Sequence, residues 1–246
     1  MIPRKIHYCW FGRNPLPEDA KKCIASWRKY LPDYKIIEWN EDNFDVNANP
    51  YTAQAYEAKK YAFVSDYARF KILYEHGGIY FDTDVELIRS MDDIIEGGAF
   101  MGIEKSLAIT SGRGCIGVNA GLGLGAESGL PIYKKILDFY ECRSFLNETD
   151  TVVTNVTQLL FLEGLRNENE MQQVAGVRIY PAEYFCPMDS TTGITEITPV
   201  TVSIHHYSCS WINHNSLKYR LYALKKALIK VFGVKFIMKI ASIVKH

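Results

Sequence analysis

The chain has 246 residues, 48% hydrophobic and 23% charged, an ordinary balance for a soluble globular protein with core enough for one large domain or a domain with an appendage. Its 28 basic and 28 acidic residues cancel, which excludes a general electrostatic attraction to nucleic acid. The six cysteines show no paired metal-type spacing, no apolar run reaches the ~20 residues of a bilayer span, and Met1-Ile2-Pro3-Arg4-Lys5 offers no apolar signal region. These features predict a cytoplasmic protein with reduced thiols.

In chain order, residues 6–12 predict a buried first strand ending in Trp10-Phe11-Gly12. Pro17-Glu18-Asp19 then opens a helix to about Tyr30, with proline and acids in its first turn. Strand, glycine and helix is how a nucleotide-binding α/β half begins. A second strand spans 34–39, a polar connection 40–49 and a helix 52–60. Ser65 reads as a cap or turn residue before a helix to His76, and Gly77-Gly78 supplies its left-handed stop. Ile79-Tyr80-Phe81 reads as a strand, whose alternation places Tyr80, Asp82 and Asp84 on one face. Two carboxylates so spaced suit a hard divalent cation and the phosphates it carries. Asp66 and Arg69, at i and i+3, share a helical face upstream.

The ordered set Ser65-Asp66-x-x-Arg69, Gly77-Gly78-Ile79-Tyr80-Phe81-Asp82-Thr83-Asp84 resembles the core of the DXD-containing sugar transferases. That family groups capsular polysaccharide synthesis proteins with the yeast initiating α-1,6-mannosyltransferase, and the glucosylating clostridial toxins carry a similar arrangement. The resemblance implies a GT-A type nucleotide-sugar transferase fold, α/β, with a central mixed sheet flanked by helices. It implies Asp82, Asp84 and Arg69 as the catalytic set, Asp66 with Arg69 on the sugar and its phosphate, and Tyr80 at the nucleotide. Trp10 would pack against the base; the bland alternative is that it fills core space. Asn119, in the glycine-bearing segment 115–125, would contact sugar hydroxyls, or mark a glycine-rich strand turn.

Downstream, residues 85–88 continue extended, Ser90-Met91-Asp92-Asp93 resembles a capping box, and 100–103 is a strand. Residues 104–114 form a candidate mobile loop over the site, 130–141 and 152–165 helices, 167–173 a charged surface turn, and 177–180 a short strand. A late strand, 201–207, runs into His205-His206-Tyr207-Ser208-Cys209-Ser210-Trp211. Alternation puts His205 and His206 on opposite faces, so only one can join the Asp pair. By the resemblance we choose His206 as metal ligand with Asp84 and Asp82, and Ser210 and Trp211 as diphosphate holders. An imidazole tilts the cation toward Mn²⁺, with Mg²⁺ the other candidate.

After Glu196 there are eight basic residues and no acid, leaving twenty basic against twenty-eight acidic before it. Residues 1–212 are therefore expected as the transferase domain and 213–246 as a basic amphipathic helical tail. Leu217, Leu221, Leu224 and Leu228 make an apolar stripe at helical spacing, suited to the inner face of the plasma membrane or to packing on its own domain. The resemblance implies a metal-dependent retaining transferase that moves a sugar, from a UDP-sugar by preference, to a glycan or polyprenyl-linked glycan in surface polysaccharide synthesis. The alternatives are a GDP-mannose-dependent mannosyltransferase and a non-catalytic sugar-binding or membrane scaffold protein. A dehalogenase-like phosphatase fits poorly, because it wants Ser or Thr where Glu86 stands.

Overall fold

The computed structural model describes residues 1–105, 114–146, 151–190 and 192–208, together with position 224. The predicted tail, the tail boundary at 212, residues 106–113 of the predicted loop, and Ser210 and Trp211 lie outside the described residues, apart from Leu224.

Three parallel strands begin the sheet. β1 (Lys5–Cys9) pairs with β2 (Lys35–Trp39) in the register Lys5↔Lys35, and with β3 (Gly78–Tyr80) in the register Ile6↔Ile79. A strand with parallel neighbours on both sides is covered by helices on both faces, so β1 is buried from Ile6 to Cys9. The sheet turns mixed beyond β3: β7 (Leu124–Ala126) is antiparallel to β3 and to β5 (Phe100–Ile103), and β9 (Val177–Tyr180) is parallel to β5. β6 (Val118–Asn119) pairs with β5, and β8 (Gln172–Val174) closes the far edge as a hairpin with β9. A separate two-stranded ribbon joins β4 (Val85–Leu87) to β10 (Ser203–His205), antiparallel.

Helices cover both faces, as the α/β expectation requires. α1 (Glu18–Tyr30) buries Ala20, Cys23, Ile24 and Trp27, one face at helical spacing, and the Trp27 indole donates to the Val85 carbonyl at 2.7 Å. On the other face α3 (Tyr61–His76) lies beneath α2 (Pro50–Glu57) and α5 (Pro131–Glu141), with Phe70 edge-on to Tyr133 at 5.2 Å. Covered on nearly every side, α3 is buried over Phe63–Phe70 without a break, polar residues included. α4 (Asp92–Glu96), α6 (Val152–Leu162) and α7 (Ala182–Phe185) complete the set.

Local expectations failed where packing outweighed propensity. Ser65 is no cap: α3 begins four residues earlier, and the buried Ser65 hydroxyl donates back to the Tyr61 carbonyl at 3.2 Å. Ser90 forms no capping box, since Met91 is the N-cap of α4 and the Ser90 hydroxyl turns to Asp92. β8 rises from the stretch expected as a charged turn, because the Gln172 amide bonds the carbonyls of Arg166 and Glu168 and can therefore be buried. Gly77 and Gly78 stop α3 at positive φ, 59° and 112°, as expected.

Candidate active site

The Asp pair sits where the sheet ends. The Phe81 amide continues the β1 pairing by donating to His7 O at 3.1 Å. The chain then turns, the Asp82 N–H donating to Gly121 O at 3.2 Å and the Val85 N–H to Asp82 O at 3.1 Å. A turn, not strand alternation, therefore brings Asp82 and Asp84 together. Gly121 must be glycine for this, since a Cβ there would lie 2.1 Å from Asp82 Oδ2. The ribbon delivers the third group. β10 pairs His205 with Val85, and His205 Nε2 lies 3.1 Å from Asp84 Oδ1.

The structure turns His205, not the predicted His206, toward the Asp pair. His206 faces away, its ring 2.8 Å from the exposed Glu86, while its backbone N–H bonds Asp84 O at 3.0 Å. One atom each from Asp82, Asp84 and His205 lies within 4.8 Å of the others. That spacing and the two-carboxylate, one-imidazole donor set fit a divalent cation. Ser208, which the sequence did not flag, clamps the other Asp84 oxygen with its N–H at 2.8 Å and its hydroxyl at 3.0 Å.

Charge at the site follows from this packing. Burial opposes the Asp84 anion, but His205 and the two Ser208 bonds outweigh it and hold its pKa far below the carboxylate range. Burial likewise opposes the His205 cation, and Asp84, Asp82 and Glu104 together win, raising its pKa. Asp82 is pushed up by burial and by Asp84, against the pull of Arg69. The buried His205 Nδ1 has no hydrogen-bond partner among the described residues.

Arg69 is only 3% exposed. Its Nε donates to Ser65 O at 2.9 Å, and Nη2 lies 2.9 Å from Asp66 and 3.4 Å from Asp82. Nη1 is buried without a partner among the described residues. Tyr80, expected against the nucleotide, lies beneath the site instead. It is 1% exposed, donates to Asp82 at 3.0 Å and stacks under the Arg69 guanidinium at 5.0 Å. Its part is to position, and it does not line the cavity.

That cavity, about 830 Å³, runs over the remaining predicted residues. Trp10 forms one wall, half-buried, its indole donating to Asn14 O at 2.6 Å. Asp66, Arg69, Asp82, Asp84 and His205 line the floor and rim, and Asn119 on β6 faces in beside Glu104, to which its amide donates at 3.0 Å. Glu104 and Tyr207 are wall residues that sequence reading passed over. A strand-end acid was the available signal for Glu104.

Residues 17–101 match the family described as "Glycosyltransferase sugar-binding region containing DXD motif". "Uncharacterized glycosyltransferase L373" of Acanthamoeba polyphaga mimivirus is 27% identical over 76% of this chain and 74% of its own length. "Inositol phosphoceramide mannosyltransferase 3" of Schizosaccharomyces pombe is 32% identical over 38% of the chain, which spans 27% of that protein. Among solved structures, "PaToxG Glycosyltransferase" aligns with a TM-score of 0.49 and 20% identity over 66% of this chain and 70% of its own.

Proposed function

We infer that this chain, whose residues 17–101 match the glycosyltransferases with a DXD-containing sugar-binding region, moves a sugar from a nucleoside diphosphate sugar to a hydroxyl with the help of a divalent cation. The observation that carries this reading is the gathering of Asp82, Asp84 and His205 at one end of a cavity that also holds Asp66 and Arg69. A cation on those three residues, Mn²⁺ by preference because one ligand is an imidazole, would supply Lewis-acid stabilisation of the leaving diphosphate.

The chain's own groups do the rest. Ser208 holds Asp84 in one rotamer, so the carboxylate is set before the donor arrives. Arg69, fixed by Ser65 and Asp66, keeps a permanent cation at the cavity floor, with Nη1 free among the described residues for the sugar or its phosphate. Trp10 offers an indole face to the base at the opposite wall. Asn119 presents its amide to sugar hydroxyls.

The anomeric configuration is retained in this reading, and the acceptor is a glycan or lipid-linked glycan of a surface polysaccharide. The basic tail would rest the enzyme on the inner face of the plasma membrane. A UDP-sugar is the favoured donor. The mannosyltransferase name of the fungal relative supports GDP-mannose as the second reading. Nucleotide release from UDP-glucose, UDP-galactose, UDP-N-acetylglucosamine and GDP-mannose, with Mn²⁺ and then with EDTA, tests all of this. Release from one donor that EDTA abolishes and Mn²⁺ restores is the expected result; equal release in EDTA overturns the metal-dependent reading.

A further inference from the structure

The turn after β10 holds a strained residue with no task so far. Tyr207 sits at φ 50°, left-handed backbone that an aromatic residue seldom adopts and that glycine adopts freely. The turn lets residues 205–208 close on Asp84 together. His205 Nε2 reaches Oδ1, the His206 N–H reaches the backbone carbonyl, and the Ser208 N–H and hydroxyl hold Oδ2. Glycine would make the same turn without strain, so the reason for a tyrosine lies in its side chain.

That side chain links the ribbon to the main sheet. Its hydroxyl lies 3.0 Å from Cys186 Sγ, a fully buried thiol at the end of α7 that also accepts the Lys105 N–H at 3.3 Å. Its ring meets the His205 imidazole edge-on, with centroids 4.3 Å apart and planes at 77°. A metal-binding imidazole is ordinarily oriented through its second nitrogen, which donates to a carboxylate or carbonyl. Here Nδ1 is buried with no partner among the described residues, so packing has to set the rotation of the ring.

We propose that Tyr207 is the positioning residue of the metal shell: tied to Cys186, its ring holds the His205 imidazole with Nε2 toward the Asp pair. The proposal rests on the metal-dependent reading above. Its consequence is metal choice. Imidazole suits Mn²⁺, whereas Mg²⁺ prefers oxygen. With the ring loosened the site keeps two carboxylates and loses its nitrogen, so Mn²⁺ binding suffers more than Mg²⁺ binding.

Tyr207→Gly removes the ring and relieves the backbone, while Tyr207→Phe keeps the ring and loses the hydroxyl. Calorimetric titration of each full-length variant with Mn²⁺ alone and with Mg²⁺ alone gives the affinities, and thermal melts check the fold. For Tyr207→Gly the expected Mn²⁺ affinity is about 10- to 100-fold below wild type, with Mg²⁺ affinity within about threefold. Its melting temperature should stay within about 4 °C of wild type. Tyr207→Phe, still packed on His205, should lose less Mn²⁺ affinity than Tyr207→Gly. Unchanged Mn²⁺ affinity in Tyr207→Gly overturns the proposal, and so does an equal loss for both metals, which general damage would produce. A Tyr207→Gly that no longer melts cooperatively makes Tyr207 a structural tie and overturns it as well. Failure of the metal-dependent reading shows separately, as wild-type protein that binds neither metal, and it takes this proposal with it.

Discussion

Two buried histidines near the Asp-x-Asp turn have pKa values driven in opposite directions. His7 on β1 is fully buried, receives the Trp39 indole N–H on Nδ1 at 3.0 Å and donates Nε2–H to Gly77 O at 3.0 Å. Burial drives its pKa down to about 4, and the Gly77 bond only partly offsets this. His205 is 7% exposed, sits against two carboxylates and titrates high. Burial alone disfavours the cation in both places, so the deciding difference is what each ring touches. Neutral partners make His7 a strut that ties β1 to β2 and to the end of α3. Carboxylate partners make His205 a charged group that a metal ion can replace a proton on.

The contrast breaks most visibly with Asp84→Ala. Turnover should fall about 10³-fold or more, since a Lewis acid contributes several kcal/mol and 1.36 kcal/mol is tenfold; an activity loss below tenfold would remove Asp84 from the metal shell. Its mirror is His7→Leu, which leaves the Trp39 N–H and Gly77 O without partners at about 1–3 kcal/mol each. Denaturant melts should show that loss while Mn²⁺ titration shows unchanged affinity.

Acid sharpens the comparison. The His7 pKa is lowered on folding, so its contribution is complete above about 6.5 and is lost as pH falls toward about 4, a loss of about 3 kcal/mol. The His205 pKa is raised, so in metal-free protein its contribution is complete below about 6.5 and fades as pH rises through the folded value. Melts of His7→Leu and of His205→Ala across pH 4 to 8 should therefore differ from wild type at opposite ends of the range. Mn²⁺ must displace the His205 proton, so its affinity should climb up to about tenfold per pH unit until that proton is gone; a flat profile would count against imidazole ligation.

The smallest effect is Trp10→Ala, about 1–3 kcal/mol in binding of UDP with Mn²⁺ if the ring stacks on the base. Calorimetry showing no change would return Trp10 to a packing role.

Much of this site could be read from sequence because its signals are local. Asp82-Thr83-Asp84, the Asp66 and Arg69 spacing and the Gly77-Gly78 stop each depend on neighbours within a turn or two. His205 against His206 was undecidable on those terms. Alternation says that the two differ in face, but the absolute phase is set by pairing with Val85, far away in sequence. Tyr80 was misplaced because β3 ends at that residue and the Asp pair lies on the turn beyond it. Glu104 looked like the start of a polar loop, and only Gly117 and Asn119 show that its carboxylate turns inward. Ser65 went wrong through a sound preference, since serine favours caps, yet burial under α2 and α5 extended the helix past it.

The Ser208 bonds to Asp84 join residues 124 positions apart in the chain. Contacts at such separation are paid for in loop-closure entropy and form late, whereas β1, β2, α3 and β3 find one another within the first third of the sequence. During synthesis the leading part can therefore fold with its Asp pair exposed while β10 is still unmade. Until residues 203–208 are made, Asp84 in such a nascent chain lacks both the His205 imidazole and the two Ser208 bonds that hold its carboxylate.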